Sequence, residues 1–453
     1  SFEAVNALSS NLDSIVSGDN KVLTSPYLKN NDAQSILKEW DSIFESNRGV
    51  INDNLFELES ANRSKFGPRS IALPWVDRVD AVNAYFAPET GIKFKRNVSK
   101  ASRNLRPKSL RESIKLLKNN TNSGLPFYKK KGLVKEQTIA LFPKLIQRKD
   151  PCVMFTRTQE SKKTRTVWGY PIADTLNEMR YYAPLLEYQR KTNWRNSIVS
   201  PDAVNLKMTN LIESAVGNRK LLSIDFSAYD TSLKFSLQEQ AFGYIMDLFQ
   251  PSCKDDLMHI FERFNTIGLI TPDGIKTGSH GVPSGSTFTN EDDSICQYLI
   301  AQSYGIDSYY FDIQGDDGAY CVEDPDGLKQ YFTSFGLKVN NEKSYISSDY
   351  LVYLQNLYDK DYKQGNGIIG GIYSTYRALN RILYLERFTD FEKSDILGKD
   401  YFSLRTISIL ENCKYSPLFV ELVKFVYSLD KYKLEYSQQG LLSYIKSMKA
   451  SSG

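Results

Sequence analysis

Apolar and polar positions change rhythm partway along this 453-residue chain. Over 34–58, Leu, Ile and Phe recur at helical spacing, so residues 1–65 read as helices joined by polar loops. The basic segment 98–119 is expected to turn helical after Pro107, where Leu110, Ile114 and Leu117 form an apolar stripe. A turn rich in Asn, Ser and Gly follows over 119–124, and 174–190 is helical in spacing again. From 220 the period shortens. Leu221-Leu222-Ser223-Ile224 is the short apolar run of a buried strand. Residues 235–249 read as helix, and 263–283, rich in Gly, Thr and Pro, as strand and loop. Thr289 with Asp292 has the spacing of a capping box opening a helix, which carries Ile295, Leu299 and Ile300 on its apolar face and which Gly305 can stop. Tyr309, Phe311 and Ile313 alternate before Gln314-Gly315-Asp316-Asp317-Gly318, and Tyr320 and Val322 alternate after it, which predicts a hairpin with an acidic turn. A helix at 326–335, a strand near 337–340, a second hairpin over 350–372 around Lys363–Gly367, and a mostly helical remainder complete the pattern. The fold class expected is α+β, with strands and helices in a core flanked by helical ends.

Composition narrows the function without naming it. The length allows several subdomains. No stretch approaches the roughly 18 uninterrupted apolar residues of a membrane span, and Ser1-Phe2-Glu3 does not open a signal pattern. The 5 cysteines are scattered without a CxxC pair, which fits a reducing compartment and gives no zinc signature. With 2 histidines, His259 and His280, there is little room for histidine metal sites or histidine-dependent triads. Charge is more informative. Residues 91–170 carry 21 Lys/Arg against 4 Asp/Glu, a net of +17 where the whole chain has +4, which leaves −13 elsewhere. A basic tract of that length beside an acidic remainder points to nucleic acid or nucleotide binding.

The acidic side has a focus. Asp225 ends the buried strand, and Asp316 and Asp317 sit at the hairpin tip. If the two elements are neighbours in one sheet, three carboxylates meet at its edge, a set of hard oxygen donors suited to magnesium. A lone Asp-Asp pair is more often a solvated turn, but apolar alternation on both sides of this one argues for a built site.

Three motifs then carry a resemblance. Asp225-Phe226-Ser227-Ala228-Tyr229-Asp230 resembles the DxxxxD motif of viral RNA-dependent RNA polymerases, Gly281-Val282-Pro283-Ser284-Gly285 through Thr289 resembles their SGxxxT motif, and Gly315-Asp316-Asp317 their GDD signature. Their order and spacing, with the GVPSG and GDDG flavour, are similar to the picobirnavirus and partitivirus polymerases of double-stranded RNA viruses. The resemblance spans roughly 120–360. It implies a right hand with an antiparallel palm sheet, closed by fingertips contacting the thumb. The divisions would be a bridging N-terminal segment 1–69, fingers 70–179 and 241–279, palm 180–240 and 280–358, and thumb 359–453. It implies replication and transcription of a viral RNA genome by nucleotidyl transfer with two Mg2+ (or Mn2+) ions.

By the same resemblance, Asp225, Asp316 and Asp317 are metal ligands and Lys343 serves the leaving pyrophosphate. Asp230, Ser284, Gly285, Thr289 and Asp293 would meet the incoming nucleotide, with Asp293 standing where many single-stranded RNA virus polymerases carry Asn and with Asn290 directly after Thr289. Arg157, Lys163 and Arg165 would hold the triphosphate, Arg165 foremost. Thr121, Ser123 and Gly124 resemble a template-contacting loop. Implied partners are template RNA, product duplex, nucleoside triphosphates and a capsid protein, for a monomer without membrane association, in the virion interior and host cytoplasm. Two other readings stand beside this one. A reverse transcriptase is disfavoured by Gly315 and by Asp230 where an aromatic would exclude ribose, and a non-catalytic RNA-binding relative by the presence of all three acids.

Overall fold

The computed structural model describes residues 1–98, 104–389, 391 and 395–452. Within it the chain forms two compact units. The first comprises Ser1–Val16, Trp75–Phe155 and Thr166–Leu354, and the second Ser17–Pro74, Thr156–Arg165 and residues 355–453.

The first unit is organised by a four-stranded antiparallel sheet in the order Tyr345–Ser347, Lys220–Ile224, Asp317–Val322, Phe311–Gln314. Register is set by alternation: Leu221 pairs with Cys321, Ser223 with Ala319, and Phe311 with Tyr320. The sheet's apolar face, with Leu222, Ile224, Phe311, Ile313 and Tyr320, is covered by helices whose stripes are legible residue by residue. Phe235–Leu248 buries Leu237, Ala241, Phe242, Ile245 and Leu248, and Lys254–Thr266 buries Leu257, Ile260, Phe261 and Phe264. The helix Thr289–Ser303 is buried from Glu291 to Ala301 apart from Tyr298, polar residues included. Pro325–Ser334 adds Leu328 and Phe332. A second sheet has the order Thr164–Gly169, Cys152–Thr158, Leu269–Thr271, Gly274–Lys276, with residues 156–158 and 164–165 of its first two strands counted in the second unit.

The second unit is largely helical, with Ala33–Ser46, Asp53–Arg63, Thr375–Leu383, Gly398–Glu411, Phe419–Leu429 and Gln438–Ser452. Trp40 is its anchor. The ring is fully buried, stacks on Phe425 with centroids 5.6 Å apart, and its indole N–H donates to Thr375 Oγ1 at 3.1 Å. The strands Asn356–Asp359 and Ile372–Tyr373 pair antiparallel around the expected loop, closed by the Lys363–Ile369 bridge.

Three expectations need correction. Lys254–Thr266 is a helix, although its C-terminal end fell in a stretch read as strand and loop. The helix after Pro107 is only Leu110–Ile114, opened by a Ser109–Glu112 capping box, while residues 99–103 of that segment lie outside the described residues. Thr289 and Asp292 form no capping box. The cap position is Phe288, and the Thr289 hydroxyl donates to the Pro283 carbonyl at 2.8 Å, so it braces the preceding loop instead.

Phe242 sits among Phe261, Phe264 and Phe288, with centroids 5.1, 5.1 and 5.6 Å away. Phe242→Ala should cost about 3–5 kcal/mol in the first unit, visible as a lower denaturant midpoint by tryptophan fluorescence. An unchanged midpoint would mean this cluster does not hold the unit together.

Candidate functional site

The acidic turn is built by strand register. Gln314 pairs with Asp317, so Gly315 and Asp316 are the two turn residues. Gly315 has φ +60°, the left-handed value that the first central position of a tight hairpin turn requires and that glycine adopts freely. Next to the hairpin, Ile224 pairs with Gly318, and continuing that register by one residue brings Asp225 beside Asp317. Asp316 is exposed, and Asp225 and Asp317 are half-buried.

Three like charges at one sheet edge disturb one another. Burial, then the Asp316 charge, and more weakly the Asp225 charge, push the Asp317 carboxyl up to about 8, although it accepts the Leu354 N–H at 2.9 Å. Among the described residues no three His, Cys, Asp or Glu side chains are grouped as a formed metal cage. The donor chemistry nevertheless fits a divalent cation. The donors are all carboxylate oxygens, and a positive ion would reverse the electrostatic cost of holding these acids together.

The end of the Asp225 strand is tied to the segment that carries Lys343. The Asp225 N–H donates to Ser344 Oγ at 3.1 Å, and the Asn340 N–H donates to the Asp225 carbonyl at 2.8 Å. Lys343 is exposed in the short turn Asn341–Lys343.

Asp230 lies in the single helical turn Tyr229–Ser232, after Ala228 at φ +50°. The Val282 N–H donates to the Asp230 carbonyl at 2.8 Å, which joins the two motifs. The Tyr229 hydroxyl donates to the Asp293 carbonyl at 2.7 Å. Asp293 is buried. That burial, then the charge and direct contact of the Asp230 carboxyl, then Asp292 and Asp316, hold its proton well above the ordinary carboxylate range. One Asp293 oxygen, Oδ1, has no hydrogen-bond partner.

The Ser284-Gly285 loop rests on the strand Thr164–Gly169. The Ser284 hydroxyl donates to the Thr166 carbonyl at 2.8 Å, and any Cβ on Gly285 would overlap the Trp168 carbonyl. From below, buried Glu178 accepts the Ser286 hydroxyl and, at 3.0 Å, the Thr287 N–H. Burial pushes this carboxyl up to about 8 against those hydrogen bonds.

The remaining candidates are more dispersed. Ser123 and Gly124 are buried, and Ser123 Oγ accepts the Lys129 N–H at 3.1 Å, so both shape their own turn, while Thr121 is exposed and bonded by Lys131 Nζ at 2.8 Å. Arg157, Lys163 and Arg165 belong to the second unit, where Arg157 pairs with Glu386 at 3.4 Å. Residues the sequence reading missed are Glu178, Ser294, Gln297 and the buried Arg195–Glu291 pair. For Glu178, Glu291, Ser294 and Gln297 the available signal was a polar side chain within an otherwise apolar helix, while Arg195 lies outside any helix.

Comparison with known proteins bears on the family and the fold. A family model described as viral RNA-dependent RNA polymerase matches residues 79–368. A potential RNA-dependent RNA polymerase of a human picobirnavirus is 28% identical, over 95% of this chain and 86% of its own length. The RNA-directed RNA polymerase of Cryptosporidium parvum virus 1 is 24% identical over 54% of this chain and 52% of its own. The crystal structure of the RNA-dependent RNA polymerase of a human picobirnavirus superposes with a TM-score of 0.83 at 26% identity, over 98% of this chain and 90% of that one. Its insertion-loop deletion mutant gives 0.85 at 26% identity, over 99% and 94%.

Glu178 gives a pH prediction. Its folded value lies above the ordinary 4.5, so its share of stability is complete below about pH 4.5 and is lost as pH rises through about 8. Glu178→Gln, which cannot ionise, should lose less melting temperature than the parent across that window. Melting curves that stay parallel from acid to alkaline pH would contradict this.

Proposed function

Since this chain belongs to the viral RNA-dependent RNA polymerases and carries out template-directed RNA synthesis by nucleotidyl transfer, we propose that its chemistry is centred on Asp225, Asp316 and Asp317. The observation that carries the assignment is the register that sets Asp225 beside the Asp316-Asp317 turn. These three carboxylates would hold the divalent ions, magnesium or manganese, which when bound supply the charge neutralisation that attack of a 3′-hydroxyl on an α-phosphate requires.

The chain's own residues do the rest. Asp230, an acceptor, would take the 2′-hydroxyl of the incoming ribose, the group that separates ribose from deoxyribose. Asp293 beside it, with its proton retained, offers one donor and one acceptor, as an Asn side chain would in the same place. Thr289, by holding Pro283, keeps the Ser284-Gly285 loop on the nucleotide side. Lys343 is the candidate donor of a proton to the leaving pyrophosphate. Arg157, Lys163 and Arg165 would grip triphosphate oxygens, Arg by its planar fork, and Thr121, Ser123 and Gly124 would border the template.

The right-hand reading follows, with fingers over 70–179 and 241–279, palm over 180–240 and 280–358, and thumb over 359–453. Fingertip closure onto the thumb is supported by Glu160, which accepts Arg377 Nη1 at 2.9 Å and lies 3.7 Å from Arg69 within the second unit. Among the described residues no helix is long and apolar enough to cross a membrane.

Asp225→Ala and Asp316→Ala are each expected to abolish magnesium-dependent extension on single-stranded RNA while RNA binding persists in a filter assay. Full extension by either variant would remove the site assignment. Asp230→Ala should erode the preference for ribonucleotides over deoxyribonucleotides by roughly ten- to a hundredfold, the worth of one charged hydrogen bond. A competition assay with both nucleotide types would reveal an unchanged ratio if another residue reads the sugar.

A further inference from the structure

The helix Thr289–Ser303 turns a row of buried polar side chains toward the acidic hairpin. Ser294 and Gln297, one helical turn apart and both fully buried, take the two polar groups of a single residue. The Gly315 N–H donates to Ser294 Oγ at 2.8 Å, and Gln297 Nε2 donates to the Gly315 carbonyl at 3.0 Å. Gln297 is itself fixed, because the Tyr320 hydroxyl donates to its Oε1 at 2.6 Å. One turn earlier, Glu291 accepts both Arg195 terminal nitrogens at 3.0 and 2.9 Å, and Arg195 Nε reaches Gln314 Oε1 at 3.3 Å, where the Ser197 hydroxyl also donates at 2.8 Å. The residues before and at the turn are thus held from one side by one helix.

The glycine after the acids belongs to the same device. Gly318 lies against Gln297, and a Cβ there would overlap Gln297 Oε1 and come within 2.7 Å of Tyr320 Cε2. Close approach of the amide to the hairpin needs a residue without a side chain at that position.

We propose that Ser294 and Gln297 are positioning residues for the metal-holding turn, clamping the Gly315 peptide so that the Asp316 and Asp317 carboxylates stay in register with Asp225 against their mutual repulsion. This rests on the reading of those acids as metal ligands. The same helix begins at Thr289 and carries Asp293, so the clamp ties the nucleotide-facing residues and the metal turn to one rigid body.

The test uses Ser294→Ala, Gln297→Ala, Gly318→Ala and the double variant Gln297→Ala/Gly318→Ala. Three quantities are read: Mn2+ binding by electron paramagnetic resonance, the magnesium concentration giving half-maximal extension, and the melting temperature. Loss of one neutral buried hydrogen bond should weaken Mn2+ binding and raise the magnesium requirement by roughly two- to tenfold in Ser294→Ala and Gln297→Ala, with KM for template RNA unchanged. Gly318→Ala should show the same defect, and in the double variant the metal-binding losses should fall short of their product, because both changes act on one contact, with the Tyr320 ring left to yield to the new Cβ. Wild-type Mn2+ binding in folded Ser294→Ala and Gln297→Ala, a fall in melting temperature with no change in metal binding, or independent losses that multiply in the double variant would each overturn the proposal. Failure of the parent protein to bind Mn2+ through Asp316, judged against Asp316→Ala, would instead bring down the reading beneath it.

Discussion

Repulsion between carboxylates is the constraint around which the first unit is arranged. Asp225, Asp316 and Asp317 are drawn to one sheet edge by backbone register, and burial with neighbouring negative charge drives the Asp317 carboxyl up to about 8. Such a cluster does not assemble on its own account. It is imposed by a sheet whose apolar face is sealed by aromatic and aliphatic side chains, each of which contributes about 1.5–3 kcal/mol when fully buried, and by hydrogen bonds that leave the hairpin peptide no alternative partner. The rest of the unit supports an arrangement of like charges that is unfavourable on its own.

That support is graded by distance from the acids. Next to them are hydrogen bonds made by the Asn340 N–H, the Ser344 hydroxyl oxygen and the Val282 N–H, which align the Asp225 strand end and the Asp230 turn. Beneath lies a layer of buried polar side chains, with Glu178 under the Ser286-Thr287 step and Arg195 paired to Glu291. A buried ion pair of that kind adds little net stability, since desolvation offsets most of the attraction, but breaking one partner away is costly. Its value here is geometric, because it permits one orientation of the helix relative to the hairpin. Outermost is the aromatic packing around Phe242.

Much of this was legible in the chain. The run Leu221–Ile224, the alternation around Gly315-Asp316-Asp317-Gly318 and the helix over 235–249 all appear where period and turn chemistry placed them. The acids could be named because short polar motifs inside apolar alternation are conspicuous. The misses have physical causes. Lys254–Thr266 carries its stripe at Leu257, Ile260, Phe261 and Phe264, but Gly and Pro residues farther on drew its end, from 263, toward strand and loop. Thr289 has the chemistry of a cap, but it falls at the first helical residue, with Phe288 at the cap position, and its hydroxyl donates to the Pro283 carbonyl instead. Glu178, Gln297 and Arg195 were passed over because a polar residue in an apolar stretch does not itself show what it bonds across the fold, as Glu178 does to Ser286, 108 positions away.

The contact between Gln297 and Gly318 has a consequence for how such chains diverge. An amide wedged over a bare backbone position, with the Tyr320 hydroxyl locking it from behind, leaves no atom to spare. A larger residue at 318 could be tolerated only after 297 had shrunk, and a shrunken 297 would strand the tyrosine's hydroxyl. Descendant sequences should therefore inherit these three positions as a linked set, exchanging them together or leaving them alone.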